Sequence, residues 1–193
     1  MQRANRQRGY VPGRMRERLV ELLREKSYRR AKVVLASGRE SDFYVDARQT
    51  TLHAEGSYLV GKLILERLKP EVVGIGGLTM GADPIVSAVA TVSFPAGRPV
   101  HAFIVRKEPK GHGTQTWVEG RANLPNGSIV AIVEDTCTTG GSMLKAVDRA
   151  EAEGLRVVQC ITVVDREEGA EAALRERGLV LETLVTRTEL ESR

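Results

Sequence analysis

Cysteine is scarce in this chain: there are two, Cys137 and Cys160. Neither sits at a zinc-ligand spacing and no second pair exists to complete a site, so free thiols in a reducing, cytoplasmic compartment are expected. Long apolar runs are also missing. A membrane span needs about eighteen or more apolar residues in a row, whereas the longest runs here, such as Ile129 to Val133, are strand-sized. Met1 to Arg8 is basic, lacks the apolar segment of a signal peptide, and reads as a solvated, frayed tail. Nor is one sign of charge dominant, with 29 Lys and Arg against 25 Asp and Glu. That excess suits an anionic ligand and is too small to argue for nucleic acid. Two nucleotide motifs fail as well. No G-x-x-x-x-G-K-[ST] occurs, which argues against a P-loop NTPase, and Gly74-Ile75-Gly76-Gly77-Leu78-Thr79 misses the third glycine of a Rossmann fingerprint.

What the chain does have is a regular alternation. At 193 residues it suits one domain with a real core. Five apolar, β-branched runs recur: Glu71 to Ile75, Val100 to Val105, Ser128 to Glu134, Arg156 to Val164 and Leu179 to Val185. Each is continuous rather than alternating, the pattern of strands buried on both faces. Between them Gly81 to Val92, Ser142 to Glu153 and Ala170 to Arg177 have helical spacing, and Gly154 and Gly178 follow the last two as αL caps. Gly56 to Leu68 is a further amphipathic helix, stopped by Pro70. The alternation predicts an α/β fold, a parallel five-stranded sheet flanked by helices.

Residues 1–50 read differently. Arg14 to Lys26 is an amphipathic helix, and Val33-Val34-Leu35 and Phe43-Tyr44-Val45 flank a turn-like Ala36 to Ser41. This portion is too small for a domain and is expected to form a hood beside the sheet. Residues 106–126 contain three glycines and no sustained apolar period. A long, structureless, mobile flap is predicted there, with Trp117 finding no core to enter.

The most informative string is Ile129-Val130-Ala131-Ile132-Val133-Glu134-Asp135-Thr136-Cys137-Thr138-Thr139-Gly140-Gly141-Ser142. A buried strand ends in two acids, and a turn rich in hydroxyls and glycines opens directly into a helix. Ligands of open α/β sheets bind at the carboxyl ends of strands. Free N–H groups at a helix N-terminus hold phosphate by geometry and dipole, and glycines let the backbone close on it. Two acids beside a phosphate would repel it, so they must face another part of the ligand: vicinal ribose hydroxyls or a hydrated Mg²⁺. A second turn, Gly76-Gly77-Leu78-Thr79-Met80-Gly81-Ala82-Asp83-Pro84, also joins a strand to a helix. A third segment, Arg106-Lys107-Glu108-Pro109-Lys110-Gly111-His112-Gly113, concentrates cations in the flap.

The fourteen-residue string resembles the phosphoribosyl diphosphate (PRPP) signature of type I phosphoribosyltransferases. The flap strongly resembles the catalytic loop of the orotate phosphoribosyltransferases in that family. The likeness runs from about Leu22 to Gly169, roughly three-quarters of the chain. It implies that Glu134 and Asp135 contact ribose hydroxyls, that Thr136, Thr138, Thr139, Gly140, Gly141 and Ser142 cradle the 5′-phosphate, and that Gly77, Leu78, Thr79, Met80 and Gly81 bind pyrophosphate through backbone. Met80 stands where some orotate enzymes carry a lysine, which puts one side-chain contact in doubt. Arg106, Lys107, Lys110 and His112 match the loop's functional positions. Of these, Lys107, Lys110 and His112, with Asp135, are the catalytic candidates.

For the base, Ser37 to Asp46 resembles the hood that packs over orotate, offering Phe43 and Tyr44, and Val164-Asp165-Arg166-Glu167-Glu168-Gly169 resembles the strand-end arginine motif. Arg166 would give a planar fork to a carboxylate or carbonyl edge. Thr138 and Arg29, which aligns with a family lysine that reaches the ligand, complete the orotate set. The resemblance further implies Mg²⁺ bound through PRPP, with no direct protein ligand assigned, and a cytoplasmic homodimer whose loop closes over the neighbouring site. Purine and uracil phosphoribosyltransferases share the PRPP signature, and the flap and hood argue against them. A nucleic-acid-binding regulator on the same fold is opposed by the intact Lys110 and His112.

Overall fold

The computed structural model describes residues 12–34, 40–109 and 116–192. Helix α1 (Met15–Lys26) leads into an antiparallel pair, β1 (Tyr28–Val34) and β2 (Glu40–Val45), in which Arg29 faces Tyr44. Short α2 (Arg48–Thr51) and α3 (Ala54–Arg67) follow. Then come β3 (Gly74–Leu78), α4 (Asp83–Ser93), β4 (His101–Val105), β5 (Val118–Glu119) and β6 (Ile129–Cys137). The chain continues through α5 (Gly141–Ala152), β7 (Arg156–Asp165), α6 (Ala170–Glu176), β8 (Leu181–Thr186) and α7 (Arg187–Glu191).

The main sheet runs β5-β4-β3-β6-β7-β8. Its five long strands are parallel, as the apolar runs predict. The sixth, β5, is two residues long and antiparallel to β4. It corrects the reading of 106–126 as structureless throughout: Val118 is buried, and a 3-10 turn, Arg121–Asn123, follows. A strand of two residues is too short to leave a period in the sequence. Trp117 also departs from expectation, since it packs at the rim of a core cluster.

Both faces of the sheet are dry because successive side chains on a strand point to opposite sides. Along β6, Ala131 and Val133 enter a cluster with residues of α1, α3 and α4. Val130 and Ile132 enter another with residues of α5 and α6. The first strand begins later than its apolar run suggests, at Gly74, and continues through Gly76 and Gly77. Glycine is required at 76, where a Cβ would lie 2.1 Å from the Phe103 ring. Gly154 and Gly178 adopt the positive φ expected of αL caps.

Polar contacts tie α1 to α7. Arg24 on α1 donates to the Leu190 carbonyl at 3.3 Å, and Arg16 pairs with Glu189 of α7. Thr186 and Glu189 form a reciprocal capping box that starts α7.

Candidate active site

Chain order reverses between β3 and β6, with β4 outside the first and β7 outside the second. In an open sheet this reversal leaves a crevice at the carboxyl ends of the strands. The crevice here is a pocket of about 270 Å³.

One wall is the turn after β3, contributing Leu78, Thr79, Met80 and Gly81. The Thr79 N–H donates to the Val105 carbonyl at 2.9 Å, and its hydroxyl donates to Asp83 Oδ2 at 2.7 Å. These bonds tie the turn to β4 and to the first turn of α4. The Thr79–Met80 peptide is cis. Met80 is exposed. Gly77 sits behind the turn, where a Cβ would meet the Val133 carbonyl at 2.1 Å.

The opposite wall is the end of β6: Glu134, Asp135 and Thr136, with Ser142 from the first turn of α5. Burial, and then the neighbouring Asp135 charge, push the Glu134 carboxyl up to about 7. Burial raises Asp135 as well, although the Thr136 N–H and the positive charge of Arg48 pull the other way. A pair of acids held this reluctantly ionised favours a ligand that brings hydroxyl donors or a cation. The turn from Thr138 to Gly141 adjoins this wall without lining the pocket. Gly140 has φ +82 and is the N-cap of α5, and no side chain caps the helix, which leaves first-turn N–H groups for an anion.

The hood supplies Tyr44, Val45, Asp46 and Arg48, and the arm after β4 supplies Lys107. Asp46 and Arg48 carry no role in the sequence reading, yet they pair at 2.8 Å on the pocket rim. Burial pushes Asp46 up, but hydrogen bonds from Arg48 and Gln49 outweigh it and hold the carboxyl below its ordinary value. Their only signal in the sequence is an Asp-x-Arg at the end of the hood string, which a surface turn would also show. Arg106 points away from the pocket, paired with Glu119 at 2.9 Å. Lys110 and His112 lie outside the described residues, as does the hood turn 35–39.

Arg166 follows β7, and its N–H donates to the Cys137 carbonyl at 2.9 Å, which ties it to β6. The side chain is buried. Its Nε donates to Glu168 Oε1 at 3.0 Å. Nη2 is within 2.9 Å of the same oxygen without an aligned hydrogen bond, and Arg166 is not among the residues that line the pocket. The Arg166 guanidinium lies 4.5 Å from the centroid of Phe43, and Arg187 lies 3.8 Å from the same ring. Phe43 is therefore fully buried between two guanidinium groups, while Tyr44, exposed, faces the pocket. Arg29 is exposed on β1 and does not line the pocket.

Residues 51–176 match the phosphoribosyl transferase domain family. The chain is 46% identical over 178 residues to an orotate phosphoribosyltransferase of Thermosynechococcus vestitus, covering 92% of this chain and 94% of that protein. It is 49% identical over 176 residues to the orotate phosphoribosyltransferase of Sorangium cellulosum, covering 90% and 92%. Among solved structures, the Mycobacterium tuberculosis orotate phosphoribosyltransferase superposes with a TM-score of 0.80 at 41% identity, over 92% of this chain and 99% of that one. The structure of that enzyme with PRPP gives 0.75 at 39% identity over the same shares. A domain match over most of the chain, near-complete coverage of relatives at this identity, and close superposition on a solved member together place the chain in the phosphoribosyltransferase family, among the orotate phosphoribosyltransferases.

Proposed function

We propose that this chain transfers the phosphoribosyl group of PRPP to orotate, giving orotidine 5′-monophosphate and pyrophosphate, a step of pyrimidine (UMP) synthesis. The observation that carries this reading is the pocket at the β3–β6 reversal. It joins two reluctant acids, an uncapped helix start, a backbone turn and a lysine. Each suits one part of PRPP: ribose hydroxyls on Glu134 and Asp135, the 5′-phosphate on 138–142, and the pyrophosphate on 77–81. Anchoring both ends of a long ligand positions the carbon between them.

In the reaction, N1 of the orotate anion attacks C1 of the ribose as the bond from C1 to the pyrophosphate oxygen breaks. Bond breaking runs ahead, so the sugar passes through an oxocarbenium-like state while negative charge gathers on the leaving group. Lys107, with Lys110 and His112, neutralises or protonates that charge. Arg166, braced by Glu168, presents its guanidinium to the base, and Tyr44 closes over it; Phe43 acts from behind, as the face on which Arg166 rests. Glu134 and Asp135 are hard oxygen donors that fit a magnesium ion entering with PRPP. Among the described residues no group of three or more His, Cys, Asp or Glu forms a cage, so substrate oxygens would complete the shell. Bound there, magnesium supplies charge neutralisation on the pyrophosphate.

A homodimer with a shared loop belongs to this reading. It is supported by an apolar groove between α3 and α4, lined in part by Leu52, Tyr58, Pro84 and Val92. Leu52 is 71% exposed on its rim. A cytoplasmic setting accords with two buried free cysteines, and no described helix is long and apolar enough to cross a membrane.

The test is ultraviolet monitoring of orotate with PRPP and Mg²⁺, with uracil, hypoxanthine and xanthine in parallel. Orotate loss that needs both PRPP and Mg²⁺ is expected. Turnover of another base alone would overturn the assignment of the base end, and PRPP binding without turnover of any base would favour a regulator.

A further inference from the structure

Trp117, the single tryptophan of the chain, is half-buried at the rim of a core cluster. The guanidinium of Arg149, on α5, lies 4.0 Å from its ring centroid. The same guanidinium donates to the carbonyls of Arg106 and Lys107, the latter at 3.2 Å. One turn further along α5, Glu153 Oε1 accepts the Trp117 N–H at 3.3 Å. The two arms are joined to each other as well, since the Arg106 N–H donates to the Trp117 carbonyl at 2.8 Å. Helix α5 therefore grips the chain where it leaves β4 and where it enters β5.

Arginine is the side chain suited to this task. Its planar fork can lie over an aromatic face while its edges reach two carbonyls. A lysine ammonium has no such plane. Lys107, whose carbonyl is held, lines the pocket. The first turn of α5 closes the phosphate end of that pocket, and Arg149 sits seven residues beyond Ser142, about two helical turns. One rigid rod thus relates the phosphate end to the cation opposite the leaving group.

We propose that Arg149 is a positioning residue for phosphoribosyl transfer, acting through Lys107, with Trp117 as the surface that orients it. The inference rests on the reading that Lys107 acts on the departing pyrophosphate. Arg149 touches no reacting atom; it sets where the Lys107 backbone stands.

The test is a double-mutant cycle on the full chain with orotate, PRPP and Mg²⁺. Arg149→Met is expected to lower kcat about tenfold, with KM for PRPP changed less than about twofold, because the phosphate end is untouched. Lys107→Ala should lower kcat at least as far. The double variant should match Lys107→Ala alone, since residues acting as one unit are non-additive. A purely structural role for Arg149 would instead make the losses multiply, and that result, or an unchanged kcat in Arg149→Met, overturns the proposal. Wild-type kcat in Lys107→Ala overturns both the proposal and the leaving-group role of Lys107. Trp117 emission should shift in Arg149→Met and hold steady in Lys107→Ala. Should Arg149→Met fail to fold, Arg149→Lys keeps the charge and loses the fork, and the same non-additivity with Lys107→Ala is expected.

Discussion

A Cβ on Gly81 would lie 2.4 Å from Oδ1 of Asp135. The turn after β3 and the acid after β6 thus meet across the pocket at a distance only glycine permits. Gly81→Ala must turn the Asp135 carboxylate aside or shift the turn, and a displacement of about 1 Å at a reacting centre costs on the order of 10²-fold in rate. Steady-state kinetics should show that loss in kcat/KM for PRPP, with a melting temperature close to wild type. Near-normal kinetics would mean the two walls are not the two ends of one ligand site.

Glu134 makes stability depend on pH in a defined direction. Its carboxyl is raised from 4.5 to about 7 by burial and by Asp135. Between those values the folded chain binds more protons than the unfolded one, so this group lowers stability as pH rises through the window and adds nothing further above it. Glu134→Gln should raise the melting temperature at pH 8 by several degrees, at about 2–4 °C per kcal/mol for a chain of this size. The gain should shrink toward pH 5. A gain independent of pH would show that the acid is not held in a desolvated site.

Arg166→Lys separates the base end from the rest. The lysine keeps the charge and loses the planar fork over Phe43. Losing a charged hydrogen bond costs about 1.5–3 kcal/mol, so kcat/KM for orotate should fall roughly 10- to 150-fold. KM for PRPP should hardly move. An equal rise in both KM values would place Arg166 in the frame rather than on the base.

Met80 is 65% exposed in the turn after β3. Met80→Lys introduces a cation at a solvent-screened position, where an ion pair is worth about 0.5–1 kcal/mol. PRPP affinity, measured by calorimetry, should improve about two- to fivefold and lose that gain in high salt. No change at low salt would mean the turn binds through backbone alone, with no anion near the side chain.

How far the sequence discloses this molecule depends on how local each signal is. The five parallel strands were legible because burial on both faces forces continuous apolar runs, as in Ile129 to Val133. The acids of β6 were legible because a strand, two carboxylates and a glycine turn are contiguous. Trp117 was not, because its partner Arg149 lies thirty-two residues away on another helix. Phe43 was taken for a residue facing the base, and nothing near it in sequence hints that Arg166 and Arg187 enclose it. Asp46 and Arg48 were missed for the opposite reason: their pairing is so local that it resembles any polar turn. The boundary of β3 slipped by three residues because its three glycines have weak strand preference, and the Phe103 ring that fills the space beside Gly76 comes from β4.

The enclosure of Phe43 also sets an order of events as the chain is made. The pocket walls, from the turn at 76–81 to the start of α5, have emerged before β8 is synthesised. Arg187, which covers one face of Phe43, comes only after β8. A nascent chain can thus shape the crevice between β3 and β6 on the ribosome, domains being folded from the N-terminal side as they appear, while the floor beneath Arg166 stays open until β8 and the start of α7 have been made.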